Sequence, residues 1–547
     1  MKKSFVRFLA LVTALVMLFC LPVMAETLEY LNTDGAMPIV KDGYDITIEI
    51  AAVQGDSWTA KPEDHYIWAF IEKYCNVDLD VKYYKQGSWE EQRSLIFLGD
   101  DQPDIIINGS FDNADLVRYG QVEGMLLPME DLIKEHAPLI AKYGEEHPEL
   151  YSETLTPDGH MYAIPTIGRS DLDVNGSRVF INQQWMDNLG LEMPTTLDEL
   201  TEVLMAFKND DPNGNGEADE IPFLAYPDRG RIAIMTALGM NHGDAYSLYA
   251  TLDGRVTVGA AEENYVHYLE YMKMLLDEGL LDEDFYTMTI EEFNAKLSRN
   301  VVGLAMMDAP FVYMPAPEQY QQYQSLVPLV SDYNDTQIWP MLNSITNGTF
   351  VICRDTEYPE VCIRIANVFF EKDINLLAFV GPQASAYLEA QWPVEGWEAS
   401  WVEEVDGAQV YTTPDGTDLW TYLNSRVGLA IQIGPAYTQD EANATIGIDV
   451  PLADHEMFWR NSMRANVSAH MRLQLPNLFL SEDELNRANE LRVPIEDYIS
   501  NMEAKFIMGD ADLSTFDAFQ EELKALGIEE YLELYQTAYD AYLENSK

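Results

Sequence analysis

The sequence predicts an α/β protein of two interleaved lobes with a helical carboxyl-terminal region. Three observations predict it. Strand-like and helix-like hydrophobic patterns alternate over residues 46–107, a second α/β pattern begins near residue 166, and the periodicity is mostly helical from Glu482 onward. Ile46–Ala52 reads as the strand that opens a buried sheet, followed by a loop of Gly55, Asp56, Ser57 and Trp58. A helix begins after Pro62, with Ile67, Phe70, Ile71 and Tyr74 on one face. Val77–Tyr84 is the next strand, Trp89–Leu98 a helix, and Pro103–Ile107 a short buried strand ending at Asn108, Gly109 and Ser110. That order predicts a doubly wound domain with a mostly parallel sheet, in which ligands gather beyond the carboxyl ends of the strands.

Asp158–Pro165 reads as a hairpin or crossover into a second unit. There Val179–Asn182 is a strand and Gln184–Leu189 a short helix closed by Gly190. Pro194–Glu199 carries a helix-start box in which Thr196 caps the first amides and Glu199 reaches back. Leu197, Leu200, Val203, Leu204 and Phe207 then recur at helical spacing. Further helices are expected at Glu262–Glu278, Ile290–Leu297, Pro359–Phe370 and Leu513–Asn545, with a strand at Thr349–Cys353. There is no internal repeat and no low-complexity linker. The expected division is residues 1–25 as an export signal, 26–165 as the first lobe with a return segment at about 345–400, 166–344 as the second lobe, and 401–547 as a mostly helical region packing on both.

The export signal rests on Lys2, Lys3 and Arg7, an apolar run from Phe8 to Pro22, and Val23-Met24-Ala25 as a cleavage site. Cys20 raises a lipid anchor as the alternative, but it follows the bulky Phe19, so cleavage after Ala25 is expected. The expected location is outside the cytoplasm, secreted or associated with the cell surface. With 33 basic and 92 acidic residues the formal charge is −59, which repels nucleic acid and anionic membranes. Hydrophobic residues make up 47% of the chain, too many for a disordered acidic polymer. Cys75, Cys353 and Cys362 follow the signal. Cys353 and Cys362 form either one bridge or two buried thiols, and no Cys/His spacing suggests zinc.

Asp211-Pro-Asn-Gly-Asn-Gly-Glu-Ala-Asp-Glu220 is the densest chemical motif. Asp211, Asn213 and Asn215 take the first, third and fifth positions of an EF-hand-like loop. Gly216 is sixth, Glu217 offers a carbonyl seventh, and Asp219 is ninth. Position twelve is Pro222, which cannot ligate through its side chain, so Glu220 is expected to close the site. Six oxygen donors in ten residues point to a structural Ca²⁺ rather than to an ordinary Asn/Asp/Gly turn.

Several segments carry a family resemblance: Gly99-Asp-Asp-Gln-Pro-Asp-Ile-Ile, Asp158-Gly-His-Met-Tyr-Ala-Ile-Pro, Trp185 through Leu200, and Asp210 through Pro222. Asp277-Glu-Gly-Leu-Leu-Asp, Phe506-Ile-Met-Gly and Leu526-Gly-Ile-Glu-Glu-Tyr continue it. The chain resembles the extracellular solute-binding proteins, family 1, of ABC importers, of the long oligosaccharide type that includes LplA and alginate-binding proteins. The match weakens between about residues 375 and 480. The resemblance implies a periplasmic-binding-protein-like fold, with two α/β lobes, a hinge and a cleft that closes on a saccharide. It further implies delivery to the membrane subunits of an ABC permease, no catalysis, and a family calcium site at Asp211–Glu220. The high acidity disfavours an anionic sugar unless Arg169, Arg229 and Arg231 line the cleft.

Sugar sites pair aromatic platforms with aimed polar groups. The expected ligand residues are Trp58 and Asn108 at strand ends, Arg169 in the first crossover, Trp339 before the return crossover, and Trp397. Each has a structural alternative: lobe packing for Trp58, turn chemistry for Asn108, and a surface ion pair for Arg169. Trp392, Trp397 and Trp401 cluster in sequence, and the last two are equally compatible with one face of a core helix. Two competing functions remain open: a secreted calcium-stabilised glycan hydrolase, and a peptide or other-solute binder on the same scaffold. There is no GxSxG elbow, HExxH or P-loop motif, although glycosidases require none of these.

Overall fold

The computed structural model describes residues 28–545 apart from 33–34, 57, 100–101, 169–177, 227–229, 315, 382–385, 398–400, 406–407, 418–421, 429–432 and 436–453. The export signal, Arg169 and Arg229 therefore lie outside the described residues. The strands in chain order are β1 (Thr47–Gln54), β2 (Asp78–Lys85), β3 (Ile105–Ile107), β4 (Ile164–Ile167), β5 (Val179–Asn182), β6 (Ile221–Leu224), β7 (Leu248–Ala250) and β8 (Val256–Val258). They continue as β9 (Val302–Met306), β10 (Tyr323–Ser325), β11 (Trp339–Met341), β12 (Ile345–Ile352), β13 (Trp401–Val405), β14 (Ala408–Thr412), β15 (Gly434–Pro435) and β16 (Met471–Leu473).

Two sheets organise the molecule. The first has the order β15-β4-β12-β3-β1-β2, and the second β10-β5-β9-β6. In the first, β1 pairs in parallel with β2 (Ile50 opposite Val81) and with β3 (Ile50 opposite Ile105), while β12 alone runs against its neighbours. This is the mostly parallel sheet expected from the alternation of the first lobe. The helices Tyr66–Cys75 and Trp89–Leu98 connect its first three strands, and Tyr66, Ile67, Phe70, Ile71 and Tyr74 are buried against it. Two-lobed α/β architecture with a helical carboxyl-terminal region is the fold observed.

The second lobe begins at β5. Helix Leu197–Asn209 buries Leu197, Leu200, Val203, Leu204 and Phe207, the stripe expected from helical spacing. Its amino terminus differs in one detail from a capping box. The Thr196 hydroxyl accepts from the Glu199 amide at 3.1 Å, but the Glu199 carboxylate takes the Thr195 amide and hydroxyl, each at 2.8 Å. The extended backbone before the cap places Thr195's donors within reach.

The carboxyl-terminal helices Glu482–Met508, Phe516–Ala525 and Ile528–Asn545 belong to the second lobe's core. Ala488, Leu491, Ile495, Ile499, Phe506 and Phe519 are buried in the same cluster as Phe207 and Tyr265. Arg231 explains part of this docking. It is 6% exposed and ion-paired to Glu503, whose other oxygen accepts from Tyr265 at 2.9 Å. Arg231 is therefore committed to the buried Glu503 and does not meet the condition under which an anionic sugar was expected.

Cys75, Cys353 and Cys362 are all free and buried, which resolves the two readings in favour of thiols. Burial pushes all three thiols above their ordinary range, so none resembles a reactive thiolate. No helix among the described residues is long and apolar enough to cross a membrane.

Candidate functional site

A groove of about 700 Å³ opens beyond the carboxyl end of β3, where Ser110–Ala114 meet the start of β12 and the carboxyl-terminal helices. Asn113, Asn343, Asn347, Asn477, Asn489 and Arg492 supply most of its polar lining, and Tyr535 adds a phenol. Because β12 is antiparallel to β3, with Phe350 opposite Ile107, its first residues extend past the end of β3. Topology thus puts the groove where an α/β sheet presents ligands.

Local structure shapes this edge. Asn108 and Ser110 have φ of 57° and 48°, so the chain reverses sharply after β3. Asp112 then accepts from the Asp115 amide at 2.7 Å, starting a short turn of helix. Arg93 holds Asp115 in a two-pronged ion pair of 2.6 and 2.9 Å. On the facing side, the register shifts between Thr346 and Phe350, and Gly348 sits within that irregularity at φ 72°. The shift turns Asn347 inward.

The amides are tied together. Asn347 Nδ2 donates to Asn113 Oδ1 and to the Glu153 carbonyl, both at 2.9 Å. Asn113 Nδ2 donates to the Leu478 carbonyl at 3.0 Å, and Asn477 Nδ2 to the Ile345 carbonyl at 2.9 Å. Asn347 Oδ1 is buried without a hydrogen-bond partner. An unsatisfied buried acceptor costs about 1–3 kcal/mol, so Asn347 is held in place by its two donated bonds against the cost of its own unpaired oxygen. Arg492 and Asp112 bring opposite charges to the walls, and Arg492 also pairs with Glu496 at 3.2 Å.

The sequence-predicted ligand residues are dispersed. Trp58 is half-buried at the end of β1, its ring folded over Gly55 and its carbonyl accepting from Lys85. Asn108 lies two residues before Ser110 of the groove, and its amide donates to the Thr349 carbonyl at 2.6 Å. Trp339 is fully buried in the second lobe, where β11 pairs with β16, and its ring packs in the core. Trp397 follows Gly396 in a turn and does not continue into a helix, since Trp401 opens β13. Its ring meets Tyr66 edge-on at 5.9 Å, with Arg426 5.1 Å above it. The groove asparagines were missed because they are isolated residues in four distant stretches. Their one local signal is the pair Asn343 and Asn347 flanking Ser-Ile-Thr.

The Asp211–Glu220 loop connects helix Leu197–Asn209 to β6. Asp211 accepts from the Gly216 amide at 3.0 Å, Asn213 from Asn215 at 2.9 Å, and Asn215 from Glu217 at 2.6 Å. Gly214 and Gly216 adopt φ of 70° and 78°. Asn215 Nδ2 donates to Asp219 at 3.0 Å, and Arg299 stands 3.8 Å from Asp219. Glu220 Oε1 is buried with no partner. Burial raises the Glu220 carboxyl above its ordinary range, and the charges of Asp219 and Asp211 add to this. Among the described residues no group of three or more His, Cys, Asp or Glu side chains is arranged to hold a metal. Asparagine and main-chain oxygens complete the donor set here. An orphaned carboxylate oxygen in a loop whose other donors are Asp, Asn and main-chain oxygens fits a Ca²⁺ better than a softer ion.

No family profile matches the chain. The fructooligosaccharide ABC transporter substrate-binding protein FusA of Streptococcus pneumoniae is 27% identical over 508 residues, covering 88% of each chain. The polygalacturonan/rhamnogalacturonan-binding protein YtcQ of Bacillus subtilis is 22% identical over 86% of this chain and 87% of its own. FusA solved with kestose superposes with a TM-score of 0.70 at 23% identity, covering 91% of this chain and all of that one. An EF-hand mutant of FusA with fructo-nystose gives 0.69 at 22% identity over the same shares. FusA is a substrate-binding protein of an ABC transporter, and the chain shares its two-lobed fold. The expected resemblance, to the oligosaccharide type of family 1, is borne out.

Proposed function

We propose that the protein captures an oligosaccharide outside the cytoplasm and delivers it, uncleaved, to an ABC permease. The observation that carries this reading is the asparagine-lined groove beyond the carboxyl end of β3. Carboxamides match the donor and acceptor pattern of vicinal hydroxyls, and the groove offers them in several orientations. Arg492 and Asp112 both line the groove, so the lining has no excess of positive charge for a polyanion. Trp58 and Asn108 are proposed to extend the site along the sheet edge, and Arg169 is proposed as a further ligand residue.

A thermal-shift and calorimetric screen against neutral oligosaccharides, uronic-acid oligomers and peptides tests the reading. A neutral saccharide recovered intact is the expected result. Cleavage of the saccharide would identify an enzyme, and a response to peptides alone would change the cargo. Asn347→Ala and Asn489→Ala are each expected to weaken saccharide binding about five- to tenfold, the value of one net hydrogen bond. Unchanged affinity in both variants would remove the groove from the site.

We also propose that Asp211, Asn213, Asn215, Asp219 and Glu220, with the Glu217 carbonyl, hold a structural Ca²⁺. The ion would neutralise Asp211, Asp219 and Glu220 and fix the entry to β6. Calcium at a hundredfold excess over its Kd is expected to stabilise the protein by about 2.7 kcal/mol. EDTA should reverse the gain, and Asp211→Ala should abolish it. A melting profile indifferent to calcium would sink the assignment.

A further inference from the structure

Glu153 follows the short helix Glu149–Ser152 and is 5% exposed. Its carboxylate accepts from Asn343 Nδ2, from the Asn477 amide at 3.3 Å and from the Tyr542 hydroxyl at 3.4 Å. Its main-chain carbonyl accepts from Asn347 Nδ2 at 2.9 Å. These four donors come from the segment before β12, from β12 itself, from the segment after β16 and from the last helix. Three of them, Asn343, Asn347 and Asn477, line the groove, whereas Glu153 does not. An ionised carboxylate only accepts, so it can engage several donors at once, while a glutamine would turn an NH₂ toward at least one of them.

We propose that Glu153 is a positioning residue for ligand capture, its carboxylate clasping Asn343, Asn477 and Tyr542 so that the groove wall is set before the ligand arrives. The proposal rests on the groove being the capture site. Glu149, one turn earlier, and Tyr542 are the titratable groups that bear on this carboxyl, and the other partners are neutral amides. Burial raises the Glu153 carboxyl above its ordinary range, opposed by its hydrogen bonds from Asn343, Asn477 and Tyr542. Protonation converts one acceptor oxygen into a donor and releases a partner. The clasp is therefore complete above this pKa and is lost as pH falls through it, at a higher pH than for an exposed glutamate.

The test compares full-length wild type, Glu153→Gln and Tyr542→Phe. Titration uses neutral tri- and tetrasaccharides between about pH 4 and pH 7.5, the range in which a raised carboxyl titrates. At neutral pH, Glu153→Gln should bind roughly tenfold more weakly, and its affinity should vary less with pH than that of the wild type. Tyr542→Phe should lose a smaller factor. In the ligand-free protein, hydrogen exchange at the Asn477 amide should accelerate in Glu153→Gln. Wild-type affinity with a parallel pH profile, or unchanged exchange at Asn477, overturns the proposal. Should the wild type bind no saccharide while exchange still accelerates, the capture reading fails and Glu153 is left a purely structural clasp.

Discussion

Gly348→Ala is expected to destabilise the protein by roughly 2–5 kcal/mol and to weaken saccharide capture at the same time. Gly348 adopts φ 72°, where a side chain costs about 1–2 kcal/mol. A Cβ there would lie 2.6 Å from both the Cβ and the amide nitrogen of Phe111, and closer still to the Phe111 carbonyl. Two of those are main-chain atoms, so no rotamer change relieves the clash. Phe111 cannot retreat either. It is 1% exposed, packed 6.2 Å from both Phe97 and Tyr119, with Arg93 5.1 Å from its ring. The strain must displace either β12 or the turn Ser110–Ala114, and both border the groove. Chemical denaturation gives the stability loss and calorimetry the affinity loss. A variant within 0.5 kcal/mol of wild type would refute the close approach of β12 to Phe111.

Glu503→Ala is the second large effect. It removes the partner of a guanidinium that is 6% exposed, and breaking a buried pair in this way costs about 3–5 kcal/mol. The Tyr265 hydroxyl loses its acceptor as well. Replacing both members, Arg231→Met with Glu503→Met, should recover most of the loss, because apolar residues of similar volume are often neutral or stabilising in place of a buried pair. A double-mutant cycle by urea unfolding separates these contributions. If the single and double variants were equally unstable, packing volume rather than charge would hold the terminal helices to the second lobe.

Much of the fold was legible because local pattern and tertiary burial agree. β5 and the helix Trp89–Leu98 have the bounds their periodicity predicts, and the stripe Leu197–Phe207 is the buried face. The site was less legible. Trp339 has the composition of a sugar platform, but an aromatic residue in a strand is equally suited to a core, and the strand paired with its own, β16, lies more than a hundred residues later. Arg231 reads as a free cation until Glu503 is placed against it. The groove amides come from residues 113, 343, 347, 477 and 489, so no window of sequence contains the constellation. Single asparagines in loops otherwise read as turn formers.

The way the terminal helices complete the second lobe also sets the timing of folding. The core that contains Val179 is not finished until Tyr531 arrives, and the first lobe's core, begun at Leu31, waits for Ile433. At about 5–20 residues per second of synthesis, the interval from β5 to the last helix is on the order of 20–70 s. Throughout it, strand edges and apolar helix faces lack their final cover. The full chain's formal charge of −59 opposes contact between two copies, so the acidic composition disfavours association while those edges await their cover.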